Sequence, residues 1–103
     1  SAAAVIRDLS GDCTAERDRL VALGCIEQIL KTSADFPTAV EVQDICWVAV
    51  HHFADGSTEN QARIATLDGI ELVLKTLQIH PGALLVQQHA LEALELLVGD
   101  DAD

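Results

Sequence analysis

The chain repeats itself with a period of 44 residues. An ungapped shift of that size carries Thr14, Arg19, Leu23, Ile26, Glu27, Leu30, Lys31 and Thr32 onto Thr58, Arg63, Leu67, Ile70, Glu71, Leu74, Lys75 and Thr76. The same shift carries Pro37, Ala39, Val42, Gln43 and Ala49 onto Pro81, Ala83, Val86, Gln87 and Ala93. Conservative pairs such as Leu20/Ile64, Ile29/Val73, Val50/Leu94 and Phe53/Leu97 fill the gaps. A period of this length, with helical spacing inside it, marks stacked helical units, each unable to bury its apolar faces alone. Composition agrees. Half of the 103 residues are apolar, which opposes disorder despite a net charge of -11. Leu, Ala, Glu and Gln are abundant, aromatics make up 3% and Tyr is absent, so strands are not expected. The length suits one domain over 1–103.

Each period accommodates three helices. The first opens near Thr14 and near Thr58, where Thr58 and Gln61 have capping-box spacing. It is expected to stop at Gly24 in one copy and at Gly69 in the other. The second carries Ile26, Ile29 and Leu30, then Ile70, Val73, Leu74 and Leu77, an apolar stripe at i, i+3, i+4, i+7. Pro37 and Pro81 end the turn that follows, because the residue before a proline resists the α region. Thr38 with Glu41 gives another capping box, and the third helix follows with the stripe Val42, Ile45, Cys46, Ala49, Val50, Phe53. Its second copy reads Val86, Ala90, Ala93, Leu94, Leu97. Residues 1–11, with Val5, Ile6 and Leu9, align with the end of a third helix, so about seven helices are expected. The divisions are 1–11, 12–55, 56–99 and an acidic tail over 100–103.

The run TENQARIATLDGIELVLKTLQIHPGALLVQQHALEALELLVGD resembles an armadillo repeat, and TAERDRLVALGCIEQILKTSADFPTAVEVQDICWVAVHHFADG resembles a more diverged one. HEAT repeats are the neighbouring class, but they have two helices per unit, and the short Thr58–Leu67 segment favours three. The resemblance implies an all-α, right-handed α-solenoid whose third helices line a groove. In importins and catenins that groove grips extended peptides with a Trp and an Asn one turn apart. The corresponding positions are Val48 and Glu92 for the Trp, and His52 and Leu96 for the Asn, so neither copy keeps the pair. Trp47 stands one position early.

Asp44, Trp47, Val48 and His51 share a strip by i+3 and i+4 spacing, with His52 beside it, and form one candidate protein-binding surface. Trp47 is either an interface anchor there or packing at the seam with the next repeat. Gln88, Glu92, Glu95 and Leu96 continue the surface on the second copy, with an acidic end suited to a Lys or Arg side chain. Metal ligation is not expected. His51 and His52 are adjacent and diverge by about 100° on a helix. His80 precedes a proline, and His89 stands alone among Gln residues. Catalysis is not expected either: no P-loop, GxSxG or GxGxxG occurs, and Cys46 lies on the apolar stripe with His51 and His52 at i+5 and i+6.

The expected function is a non-catalytic protein–protein interaction or scaffold module that needs no cofactor. It presents its third helices to a protein or peptide, and the acidic surface favours a basic one. The alternative is a structural element whose ends, with Val5, Ile6 and Leu9 on one side and Leu94 and Leu97 on the other, stack on another copy or on further repeats. Six scattered Lys and Arg residues argue against nucleic acid, and no apolar run reaches membrane-spanning length. Cys13, Cys25 and Cys46 show no CxxC spacing, which suggests a reducing compartment, the cytoplasm or nucleus.

Overall fold

The computed structural model describes residues 14–99, which form α-helices and, among those residues, no strand. Helices α1 (Thr14–Ala22), α2 (Cys25–Asp35) and α3 (Val40–Ala54) make one unit; α4 (Thr58–Thr66), α5 (Gly69–Ile79) and α6 (Leu84–Gly99) make a second. Each helix of the second unit starts 44 positions after its counterpart, so the period of the sequence is the period of the structure. Six of the expected seven helices are accounted for. The leading helix, with Val5, Ile6 and Leu9, and the tail over 100–103 lie outside the described residues.

The signals that bound these helices differ in detail from the expected ones. Gly24 adopts the left-handed conformation between α1 and α2 at φ 88°, and its counterpart is Asp68 at φ 67° rather than Gly69. Aspartate is among the few residues with a side chain that visit this region. Gly69 is instead the first residue of α5, where a Cβ would collide with Ile64 Cγ2 and come 2.7 Å from Ile64 O. The cap of α4 is Ser57, whose side chain accepts from the Asn60 backbone N–H at 3.2 Å, so the Thr58–Gln61 box does not form. At the start of α3 the cap position is Ala39, with no side-chain cap in place of the Thr38–Glu41 box. Pro37 and Pro81 open their turns rather than end them, but the residue before each leaves the α region as expected. Phe36 and His80, each preceding one, leave the helical region at φ -125°, ψ 58° and φ -119°, ψ 58°.

A repeated glutamine closes the turn between second and third helices. Gln43 Nε2 donates to Ser33 O and Phe36 O, both at 2.9 Å, and Gln87 Nε2 donates to Leu77 O at 3.0 Å and His80 O at 2.8 Å. The Gln43/Gln87 identity is thus a structural clamp on carbonyls that the proline turn leaves without helical partners.

The core lies in the seam between the two units. Ile26 and Leu30 of α2, Trp47, Val50 and Phe53 of α3, Ile64 of α4, Val73 of α5 and Ala90, Ala93 and Leu97 of α6 form one buried cluster. The closest helix partnership is α3 with α6, where Ala90 and Ala93 keep the contact short. Not every residue of the expected stripes is inside. Val42, Ile70 and Leu77 are half-buried, Leu74 is exposed, and Ile45 is 61% exposed. The stripe on a repeat helix is wider than the face one neighbour covers.

Candidate functional site

Side-by-side packing of α3 and α6 puts two solvent-facing stripes next to each other. Glu41, Ile45, Val48 and His52 follow one another by i+4, i+3 and i+4 on α3. The 44-residue shift gives Leu85, His89, Glu92 and Leu96 on α6. Glu41, Ile45, His52, Leu85 and Glu92 are exposed; Val48, His89 and Leu96 are half-buried. Where the two helices begin, Val40, Glu41, Asp44, Leu84 and Leu85 help to line an open, mainly apolar hollow of about 350 Å³. The face therefore combines aliphatic side chains with carboxylates.

The candidate residues named from sequence distribute as follows. Val48, His51 and Leu96 are half-buried, and His52, Gln88, Glu92 and Glu95 are exposed. Asp44 is half-buried and pairs with His89 across the α3–α6 seam through Oδ1 and Nδ1. His89 is thus not isolated, and its expected solitude is corrected: its partner is 45 positions away, beyond any local pattern. Trp47 is corrected as well. It is 0% exposed and takes the packing alternative, because the α3 register turns it under the second unit. Its Nε1 donates to Thr76 Oγ1 at 3.0 Å and lies 3.3 Å from Gln43 Oε1. Thr76 Oγ1 donates to Gln43 Oε1 at 2.8 Å, and Ser33 Oγ does so at 2.9 Å. A buried polar network therefore ties α2, α3 and α5 together and gives the indole N–H its partner.

Of the end-face residues, Leu97 belongs to the buried core, so that assignment is corrected: its position on α6 points into the seam, like its counterpart Phe53. Leu94 is half-buried. The binding strip drawn from sequence leaves out Glu41, Ile45, Leu85 and His89, which the structure places on this face. The signal was present, since a stripe drawn through Val48 and His52 at helical spacing passes through Ile45 and Glu41.

The chemical capacity of the described residues is limited. Burial pushes the Cys46 thiol up to about 11, and burial followed by the nearby Glu27 charge raises Cys25, so neither supplies a thiolate near neutral pH. Both are free cysteines. Glu27 is held below the usual carboxylate range by its own backbone N–H at the start of α2 and by Arg63, whose Nε and Nη2 lie 2.9 and 2.5 Å from Oε2. Among the described residues no group of three or more His, Cys, Asp or Glu side chains is placed to hold a metal. No helix among them is long and apolar enough to cross a membrane.

The class defined by this fold and face is an all-helical pair of like three-helix units, with their third helices exposed side by side. No family model matches the chain, and neither curated proteins nor solved structures give a significant match.

Proposed function

We propose that the chain is a non-catalytic protein-interaction module built from two armadillo-like repeats in a right-handed solenoid, and that its α3–α6 face binds a basic segment carrying aliphatic side chains. The observation that carries the reading is the composition of that face. Ile45 and Leu85 are exposed beside Glu41 and Glu92, with Glu95 near the end of α6, and the chain as a whole carries -11. Exposed aliphatic residues rimmed by one sign of charge are the usual make-up of a docking surface. The armadillo assignment is supported by the three-helix period and by the turn prolines, Pro37 and Pro81. Burial raises the Cys25 and Cys46 thiols and leaves them poor nucleophiles, which supports a non-catalytic role. The acidic balance speaks against nucleic acid as partner. Free Cys25 and Cys46 accord with a cytoplasmic or nuclear setting.

The test is a titration with a short peptide in which Lys or Arg alternates with Leu. Binding should weaken at least tenfold in the double variant Glu41→Lys/Glu92→Lys and in Ile45→Asp, each at an exposed site that leaves the fold intact. Affinity should fall steeply with added salt. Equal affinity for both variants and the parent chain would rule the α3–α6 face out.

A further inference from the structure

The sequence identities of the 44-residue period coincide with the polar bonds that join one unit to the next. Arg63 of the second unit pairs with Glu27 of the first, and Thr76 of the second donates to Gln43 of the first. Shifted by one period, the acceptors Glu27 and Gln43 become Glu71 and Gln87, while the donors Arg63 and Thr76 correspond to Arg19 and Thr32. Each unit thus carries Arg and Thr donors on the side that faces back along the chain and Glu and Gln acceptors on the side that faces forward. In the second unit the forward acceptors are unmatched. Glu71 has no ion-pair partner and Gln87 Oε1 no hydrogen-bond donor among the described residues, although Gln87 Nε2 makes the same clamp as Gln43.

Apolar residues tell the same story independently. Leu30 is 4% exposed and Trp47 and Ala54 are 0%, all covered by the second unit; their counterparts Leu74, Leu91 and Val98 are 45%, 49% and 41% exposed. The backward side of α5 is covered, with Gly69, Val73 and Thr76 buried, whereas its forward side bears Leu74. This forward face continues the geometry of the established seam and repeats its chemistry one period on.

We propose that the forward face of α5 and α6 is a stacking surface for one further helical repeat of this chain's own kind. Such a repeat places an Arg guanidinium against Glu71 and a Ser or Thr hydroxyl against Gln87 Oε1, and it covers Leu74, Leu91 and Val98. The donor spacing specifies the partner: a basic residue at the end of a short first helix and a hydroxyl 13 positions later, as from Arg63 to Thr76. The same apolar face without those donors would leave Gln87 Oε1 buried and unsatisfied.

The test inserts an in-phase copy of residues 57–100 after Asp100 of the full chain, so that the probe carries its own Arg63 and Thr76. The extended chain should unfold in a single transition, with a melting temperature raised by about 10 °C and amide exchange at Leu91 and Leu94 slowed at least tenfold. Leu91→Glu should leave the unextended chain's melting temperature in place, since the site is half exposed, and should remove most of the gain in the extended one. Thr76→Val in the added copy alone should remove part of it. An added copy that melts separately, or a gain untouched by Leu91→Glu, overturns the proposal. So does dimerisation of the unextended chain that Leu91→Glu abolishes while the added copy confers no protection, because the occupant is then a second copy docked face to face.

Discussion

Gly24 and Gly69 occupy neighbouring places in the two units and do different things there. Gly24 holds φ 88° with nothing within 4 Å of a would-be Cβ, so only the backbone resists a side chain. Gly69 has ordinary helical φ, but Ile64 lies in the way, with its carbonyl oxygen 2.7 Å from a would-be Cβ. Gly24→Ala should therefore cost about 1 kcal/mol, the left-handed penalty alone. Gly69→Ala should cost about 2 kcal/mol, because overpacking against backbone outweighs the better helix propensity of alanine. Urea denaturation of both variants decides it. A Gly69→Ala protein at least as stable as the parent would mean that α4 and α5 are not held that close. The left-handed residue of the second unit is Asp68, which composition rules do not single out, so the glycine signal places the stop one residue late.

At the level of elements, the end of α3 is tied down by side chains from two other helices. Its last carbonyls would lack partners in an isolated helix. Here Arg17 of α1 donates to His52 O at 3.2 Å and Asp55 O at 3.0 Å, while Asn60 and Gln61 of α4 donate to Phe53 O and Ala54 O, both at 2.8 Å. A guanidinium there also suits the negative end of the helix dipole. Asn60 is buried and Arg17 only partly so. Asn60→Ala should thus cost about 1–2 kcal/mol and Arg17→Ala about half that, the first leaving a buried carbonyl without a partner and the second a carbonyl that water can reach. Thermal melts with both single variants check the order, and a larger loss for Arg17→Ala would contradict it. These ties were not legible in the sequence, whereas the helices themselves were. Six helices followed from apolar spacing, the two prolines and the period. Which apolar residues would be covered did not, because Ile45 and Leu74 fit the core stripe as well as Leu30 does, and coverage depends on which neighbour is present. Trp47 shows the same limit: its spacing fits both the surface strip and the seam. Asp44 and His89 meet only because α3 lies on α6, a relation that no local pattern encodes.

Across the whole molecule, charge works against the fold. Seventeen Asp and Glu residues face six Lys and Arg. The ion pairs among the described residues that involve Lys or Arg are Lys31–Asp35 and Arg63–Glu27, and all four side chains are substantially exposed. Exposed pairs are worth a few tenths of a kcal/mol each, and salt weakens them. Self-repulsion among the surplus carboxylates is spread over the surface and is also screened by salt. The two effects oppose each other, and the count decides: two weak attractions against a net -11. The melting temperature at neutral pH should rise by a few degrees as sodium chloride goes from about 10 to about 300 mM, over which the screening length shrinks from about 30 Å to well under 10 Å. Most of the rise should come early, where distant charges cease to interact. Replacing Glu92 and Glu95 together by Gln should raise the low-salt melting temperature and flatten the slope. A melting temperature that falls with salt would show that the Arg63–Glu27 and Lys31–Asp35 pairs outweigh the repulsion, and that the acidic surface is no burden to this fold.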